Sequence, residues 1–366
     1  MRLWLVLLAT VFGAVLSSCA SMGSASPPAE TPSNDAFALP AVLGEAQPVG
    51  VERLRLDERI VQQTEGGGIY ASDYFSPTSG SYPEGFVAGY SGSNKGNRPP
   101  VCTIPAGYVE GVGVDPTGNL MVPAYFGGSS SGSFLINVYQ GPGVCGSLIG
   151  SVPITSDAAG YPKAVASLNA RTGKIVVAYP ANQRPSFGEL AVCALATGCG
   201  PPMTLPSIKG WAFGVALAKN GDCWMSAEKR ANYDPPGVAV LAFFKNCSPP
   251  GRAAKGYKNP YYGGLFIDNK GNIGALDLND GTLYVYNGCN PDCTLVGGPF
   301  TLKGSSVEAG LNKEGTKLAV GDNAIQAVDI YAYTPTSLTY LYSISNGLTF
   351  KNSSVISGAF SPSNAQ

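Results

Sequence analysis

The chain has 366 residues with 23 basic and 24 acidic side chains, a formal net charge of −1 and only 13% charged residues. That balance removes the electrostatic basis for nucleic-acid binding, and the lack of any histidine excludes Ser-His-Asp and Cys-His catalysis, histidine-ligated zinc or haem, and a histidine pH switch. With 48 Gly, 29 Pro and 10% aromatic residues, a mostly helical protein is excluded in favour of a β-rich core with many tight turns.

At the N-terminus, Arg2 precedes a 14-residue apolar run, residues 3–16. Such a run is a signal-peptide core, too short to cross a bilayer by itself. Leu16-Ser17-Ser18-Cys19 follows at once and resembles a bacterial lipobox. The resemblance implies cleavage before Cys19, whose thiol then carries diacylglycerol, so that acyl chains replace the removed apolar segment as the membrane attachment. The alternative is an ordinary secretory signal cut within residues 21–26. On the first reading residues 1–18 are a lipoprotein signal peptide, and the protein is exported and anchored to a bacterial membrane, at its periplasmic face or the cell surface. Residues 19–66 start rich in Ser, Pro, Ala and Thr with no apolar periodicity, and read as a flexible tether.

From residue 67 onward an internal repeat organises the chain. Residues 112–122 read as strand, tight turn and strand about Gly118. The same design returns about Gly173, Gly221, Gly271 and Gly315, at spacings of 55, 48, 50 and 44 residues. Each unit continues into a β-rich run: 134–139, 189–195, 238–244, 283–286 and 328–333. A fourth segment follows in each: 147–154, 203–208, a poorly marked stretch near 251–257, 294–302 and 338–344. Four short strands with regular turn signals describe one propeller blade, and an immunoglobulin-like sandwich would not give five self-similar units. Residues 357–364 repeat the first strand and turn, and then the chain stops. The three strands that would complete this blade stand at the other end: 69–72, 86–90 and 100–104. The expected fold is therefore all-β: a six-bladed β-propeller over residues 67–366, closed by one composite blade that combines both termini and leaves no open edge on the ring.

Two turns, Asp115-Pro-Thr-Gly118-Asn and Asp268-Asn-Lys-Gly271-Asn, each between apolar strands, resemble those of NHL-repeat and SMP-30-type propellers. The repeats around Arg171 and Ala218 lack the Asp, which marks a divergent member. The resemblance implies the fold and leaves function open, because that fold hosts enzymes, scaffolds and ligand binders alike.

Removing Cys19 leaves eight cysteines, an even number that fits disulfides in an oxidising compartment. On the blade map all eight fall on the face made by first-to-second and third-to-fourth turns. Cys223 pairs with Cys247 across one blade, Cys193 with Cys199 and Cys289 with Cys293 within single turns, and Cys102 with Cys145 across neighbouring blades. Their expected role is to brace the disc.

Ligands of propellers usually meet the opposite face. Two sets of residues map there. Asp73, Glu228, Asp277 and Asp322 end second strands, with Tyr125 and Tyr179 at equivalent places; such Asp residues also serve to accept hydrogen bonds from their own turn amides. Glu110, Asn259, Glu308 and Asn352 stand just before innermost strands, where Glu308, Asn352 and Glu110 would converge on the axis. Oxygen donors of this kind suit Ca²⁺, Mg²⁺ or Mn²⁺. SMP-30-like lactonases are similar in using Glu, Asn and Asp there around one divalent metal, but Ala164, Phe213 and Gly263 occupy related positions here. Streptogramin-lyase-like chemistry, which a related propeller family runs with His, is not available. The long second-to-third loops carry Tyr, Arg, Asn and Pro, a composition that fits a sugar- or peptide-binding platform as well as ordinary connections. The expectation is a monomeric, non-catalytic binding module for a protein, peptide or carbohydrate, with no cofactor. The alternative is a divalent-metal-dependent hydrolase, lactonase or lyase of SMP-30 type.

Overall fold

The computed structural model describes residues 67–75, 84–93, 96–106, 109, 111–126, 133–154, 167–171, 173–179, 189–204, 212–229, 238–258, 263–277, 280–290, 292–304, 308–348 and 353–362. Cys19, the leader and the tether lie outside these residues.

The repeating turns dictate the architecture. Gly118, Gly173, Gly221, Gly271 and Gly315 all adopt positive φ, between +67° and +93°, in the left-handed region that favours glycine. Each reverses the chain between an innermost strand and its neighbour. In chain order the strands are β1 (Gly68–Phe75), β2 (Glu84–Ser91) and β3 (Cys102–Pro105). Blade one holds β4 (Gly113–Val114), β5 (Leu120–Phe126), β6 (Ser133–Tyr139) and β7 (Leu148–Pro153). Blade two holds β8 (Ser167–Arg171), β9 (Lys174–Tyr179) and β10 (Glu189–Ala194), with its outer edge split into β11 (Gly198–Cys199) and β12 (Met203–Thr204). Both pieces pair with β10. Blade three holds β13 (Ala212–Leu217), β14 (Cys223–Lys229), β15 (Val238–Phe244) and β16 (Arg252–Ala253); blade four holds β17 (Leu265–Ile267), β18 (Ile273–Asp277), β19 (Thr282–Asn287) and β20 (Thr294–Thr301). Blade five holds β21 (Ala309–Leu311), β22 (Lys317–Asp322), β23 (Ala327–Thr334) and β24 (Ser337–Ile344), and the chain ends in β25 (Ser353–Ser361). Every pairing between these strands is antiparallel, as tight meander connections require.

β25 is the innermost strand of the sixth blade, whose order is β25-β1-β2-β3. Its register runs from Gly68 opposite Ser361 to Phe75 opposite Ser353, with one irregularity at Ser72/Asp73. The six innermost strands touch one another in a closed cycle, β4, β8, β13, β17, β21, β25 and back to β4. The fold is thus a six-bladed β-propeller with a composite closing blade.

Six apolar layers hold it, each made by two consecutive blades facing one another. Blades two and three, for example, bury Val176, Leu190, Val215, Leu217, Met225 and Phe244 together. The stabilising burial therefore lies between sheets and needs the whole ring.

Asp115 and Asp268 close their turns by accepting from the chain that follows. Asp268 Oδ1 accepts from the amides of Lys270 and Asn272, both at 2.9 Å, while its Oδ2 accepts from Asn272 Nδ2 at 2.8 Å and from Tyr333 OH of blade five at 3.3 Å. In blade five Asn312 takes this place, its Oδ1 accepting from the amides of Thr316 and Lys317 at 2.8 Å.

The four expected disulfides are all present: Cys102–Cys145, Cys193–Cys199, Cys223–Cys247 and Cys289–Cys293. By strand order all lie at the first-to-second and third-to-fourth ends of the blades. Only Cys102–Cys145 among them joins two blades, the composite blade and blade one. The surrounding seam is closely fitted. Val144 sits against Gly68 and Gly89, where any Cβ would collide with it. Tyr70 OH donates to Gly143 O at 2.9 Å and accepts from the Cys145 amide at 3.2 Å, and Ser361 Oγ donates to Gly118 O at 3.0 Å.

Candidate functional site

The innermost strands surround an axial channel lined in part by Val112, Asn169, Phe266, Leu311, Glu308 and Ser357, with a cavity volume of about 50 Å³. That is room for a few waters at most. Its polar end is built from three successive blades. Glu308 leads into β21 and is bridged to Ser357 of β25: its amide donates to Ile356 O at 3.1 Å, and its carbonyl accepts from the Gly321 amide at 3.1 Å. Glu308 is buried, and its carboxylate lies against Gly111, where a Cβ would collide with it. Gly111 in turn leads into β4 of blade one.

Ser72 and Ser357 complete this end. Their hydroxyls are 2.9 Å apart; Ser357 Oγ accepts from the Val112 amide at 3.2 Å and Ser72 Oγ accepts from the Ser357 amide at 3.1 Å. The two serines thus latch the composite blade onto the lead-in of blade one. In blade three Ser226 does the same job: it accepts from the Gly214 amide at 3.2 Å and donates to Gly263 O at 2.6 Å. The sequence reading missed Ser72, Ser357 and Asn169. A serine recurring near the ends of second strands was the available signal for the first. Asn169 carries a buried Oδ1 without a hydrogen-bond partner and lines the channel beside these groups.

Of the four residues expected before inner strands, Glu308 alone is described; Glu110, Asn259 and Asn352 lie outside the described residues. Of the second-strand set, Asp73, Tyr179, Asp277 and Asp322 are all almost fully buried. Asp277 Oδ1 accepts from the Asp280 amide at 3.0 Å, and Asp322 Oδ1 accepts from the amides of Ala324 at 2.8 Å and Ile325 at 3.3 Å. Burial, and secondarily the charge of Glu189, pushes the Tyr179 phenol above the ordinary tyrosine range. Burial and then the neighbouring Asp329 push the Asp322 carboxyl up to about 6. Tyr125 and Glu228 are on β5 and β14, but their side chains lie outside the described residues, as do residues 76–83, 127–132, 180–188 and 230–237 of the second-to-third loops.

The described residues therefore offer one axial carboxylate, two mutually engaged hydroxyls and an amide oxygen. Among the described residues no three Cys, Asp or Glu side chains lie close enough together to hold a metal ion. The described donors alone fall short of the six to eight oxygens that Ca²⁺ takes.

The sequence matches no protein-family model and no curated protein. Solved structures similar to it include the periplasmic gluconolactonase of Pseudomonas aeruginosa, at 13% identity and TM-score 0.48 over 80% of this chain and 99% of that one. TolB from Acinetobacter baumannii is 10% identical with TM-score 0.49, over 81% of this chain and 66% of that one. A protein of unknown function from Desulfotomaculum acetoxidans is 11% identical with TM-score 0.46, over 77% and 82% of the two chains. At such identities the likeness is one of fold and carries no argument about activity.

Proposed function

We propose that the protein is an exported, lipid-anchored propeller that binds a protein, peptide or carbohydrate on the face of its second-to-third and fourth-to-first connections, without turning it over. The observation that carries this reading is the use of the described polar groups. Asp277 and Asp322 each engage amides of their own turn, Ser72 and Ser357 engage each other and Val112, and Glu308 is packed against main chain. These groups build the ring. Export is supported by the apolar leader ending at Cys19 and by four disulfides.

The second reading is a metal-dependent lactonase of SMP-30 type. The buried carboxylate of Glu308 at the axis favours it, since the sequence sets Glu110 and Asn352 just before the inner strands of the next two blades in the ring. Measuring the metal content of purified protein, together with hydrolysis of a lactone panel before and after EDTA, separates the two. Binding without turnover gives only trace metal, a melting curve unmoved by EDTA and no hydrolysis. Stoichiometric divalent metal with EDTA-sensitive hydrolysis gives the lactonase. Metabolic labelling with an acyl probe tests the anchor: label should be present in the wild type and lost in Cys19→Ala, and its persistence would sink the lipid assignment.

A further inference from the structure

We propose that the face made by the first-to-second turns docks on an anionic phospholipid bilayer, the same bilayer that holds the anchor, leaving the face of the second-to-third connections turned outward. For its tether this rests on the lipid-anchored reading above; its chemistry comes from the turns. Four consecutive blades bring cations to this face. Blade two supplies Arg171 and Lys174 about Gly173, blade three Lys219, blade four Lys270, and blade five Lys313 and Lys317. The last four of these lysines are exposed, while Arg171 and Lys174 are half-buried. Exposed Lys245 joins them from the third-to-fourth turn of blade three, held at this end because the Asn246 amide donates to Asp222 Oδ1 at 2.7 Å. Neighbouring turns abut, with Asn269 Nδ2 of blade four donating to Glu314 O of blade five at 2.8 Å. The cations therefore lie along one arc.

The acids of the same turns are mostly drawn inward. Asp222 and Asp268 are buried and spent on the turns themselves. Asp222 Oδ2 accepts from Asn220 Nδ2 at 2.8 Å, and Asp268 Oδ1 accepts from the Lys270 amide at 2.9 Å, so each carboxylate lies beneath the surface that its neighbouring lysine crowns. Beside the arc, Glu314 and Asp292 are exposed carboxylates, and Glu314 Oε2 accepts from Asn312 Nδ2 at 2.6 Å. Exposed cations thus outnumber exposed carboxylates here, in a chain whose formal net charge is −1. The excess belongs to this face and not to the composition.

The place where the chain enters the disc identifies the partner. Gly68 is paired with Ser361, and Ser361 Oγ donates to Gly118 O in the first-to-second turn of blade one at 3.0 Å. β1 therefore starts at the face that bears the cations. The 48 residues from 19 to 66 connect Cys19 to that start. A flexible tether of this length spans about 40 Å root-mean-square, which holds this face near the bilayer and gives weak contacts a high effective concentration.

Among the described residues, no exposed large apolar side chain falls in the first-to-second turns. The contact is thus one of ammonium and guanidinium groups with headgroup phosphates, made without insertion into the acyl region. Such a contact weakens as salt rises, unlike the hold of acyl chains.

Lysine footprinting tests this on the full chain, expressed with its own leader and added to vesicles of phosphatidylcholine with or without phosphatidylglycerol. A water-soluble acetylating ester is applied and the modified lysines are read by peptide mapping. Lys219, Lys270 and Lys313 should react several times more slowly on the anionic vesicles, while exposed Lys303, at the other end of the strands, reacts equally on both. The protection should vanish near about 0.5 M salt. Lys219→Gln with Lys270→Gln should shift the docked state by about fivefold per charge removed, read as lost protection of Lys317. Equal modification of the turn lysines on the two kinds of vesicle overturns the proposal. Protection by soluble dextran sulfate without protection by anionic vesicles also overturns it, and assigns the face to a polyanion. Flotation with neutral vesicles reads the anchor separately. A chain that fails to float there but is protected on anionic vesicles loses the anchor and keeps the docking face, and one that floats unprotected does the reverse.

Discussion

Replacing both Cys102 and Cys145 with Ser probes the seam beside the ring closure at its one covalent point. This cystine spans a sequence separation of 43 residues, against 4 for Cys289–Cys293. On the loop-entropy account the first cross-link constrains the unfolded chain by about 4 kcal/mol and the second by about 2 kcal/mol. Packing changes add little at Cys102 and Cys145, which are only half-buried. Cys223 and Cys247 are buried, so their exchange would add the cost of seating polar groups in the core to about 3.5 kcal/mol from their separation of 24 residues. The Cys102/Cys145 double variant therefore isolates the cross-link itself. Guanidinium unfolding followed by tryptophan fluorescence, under oxidising conditions, should show a loss of about 4 kcal/mol for that variant. A loss below about 2 kcal/mol, the value expected for the four-residue separation of Cys289–Cys293, would refute the reasoning. The first variant should still unfold cooperatively, because the ladder between β1 and β25 and the seat of Val144 remain.

Deleting residues 347–366 removes β25 and the buried Leu348, exposing β1 and one side of the axial channel; circular dichroism should show loss of the whole fold rather than a trimmed tail, and an unchanged melting curve would contradict composite closure. Asp268→Ala strips acceptors from two turn amides, Asn272 and Tyr333, and should cost about 2–4 kcal/mol in chemical denaturation. Asn312→Ala, at a more exposed turn, should cost only about 1 kcal/mol; similar values for the two would show that the tie to Tyr333 contributes nothing.

The fold was legible because its determinants are local. A glycine at positive φ between two apolar strands leaves a fixed mark, and five such marks set the blade count before any contact is known. The cystine pairs followed from the same map, since Cys223 and Cys247 reach each other once β14 and β15 are registered. What escaped was short or non-local. The split outer edge of blade two consists of two-residue pieces with no periodicity to read. At the axis Glu308 was marked by its place before β21, but its setting against Gly111 depends on how two blades meet. Ser72 and Ser357 lie 285 residues apart and have no pattern in common. The diagonal placement of the buried Asp322 and Asp329 across β22 and β23 is disclosed only by the exact register.

The composite blade also has a mechanical consequence. The chain enters the disc at β1, and β1 is an interior strand, paired along its length with β25 on one side and β2 on the other. A pull on the segment before Gly67 is thus directed along a strand clamped on both flanks. Its hydrogen bonds are loaded in shear and share the load together, whereas an edge strand would be peeled away one bond at a time. A propeller held by the segment before Gly67, and tugged by whatever it holds, would bear that tension at a strand gripped on both flanks.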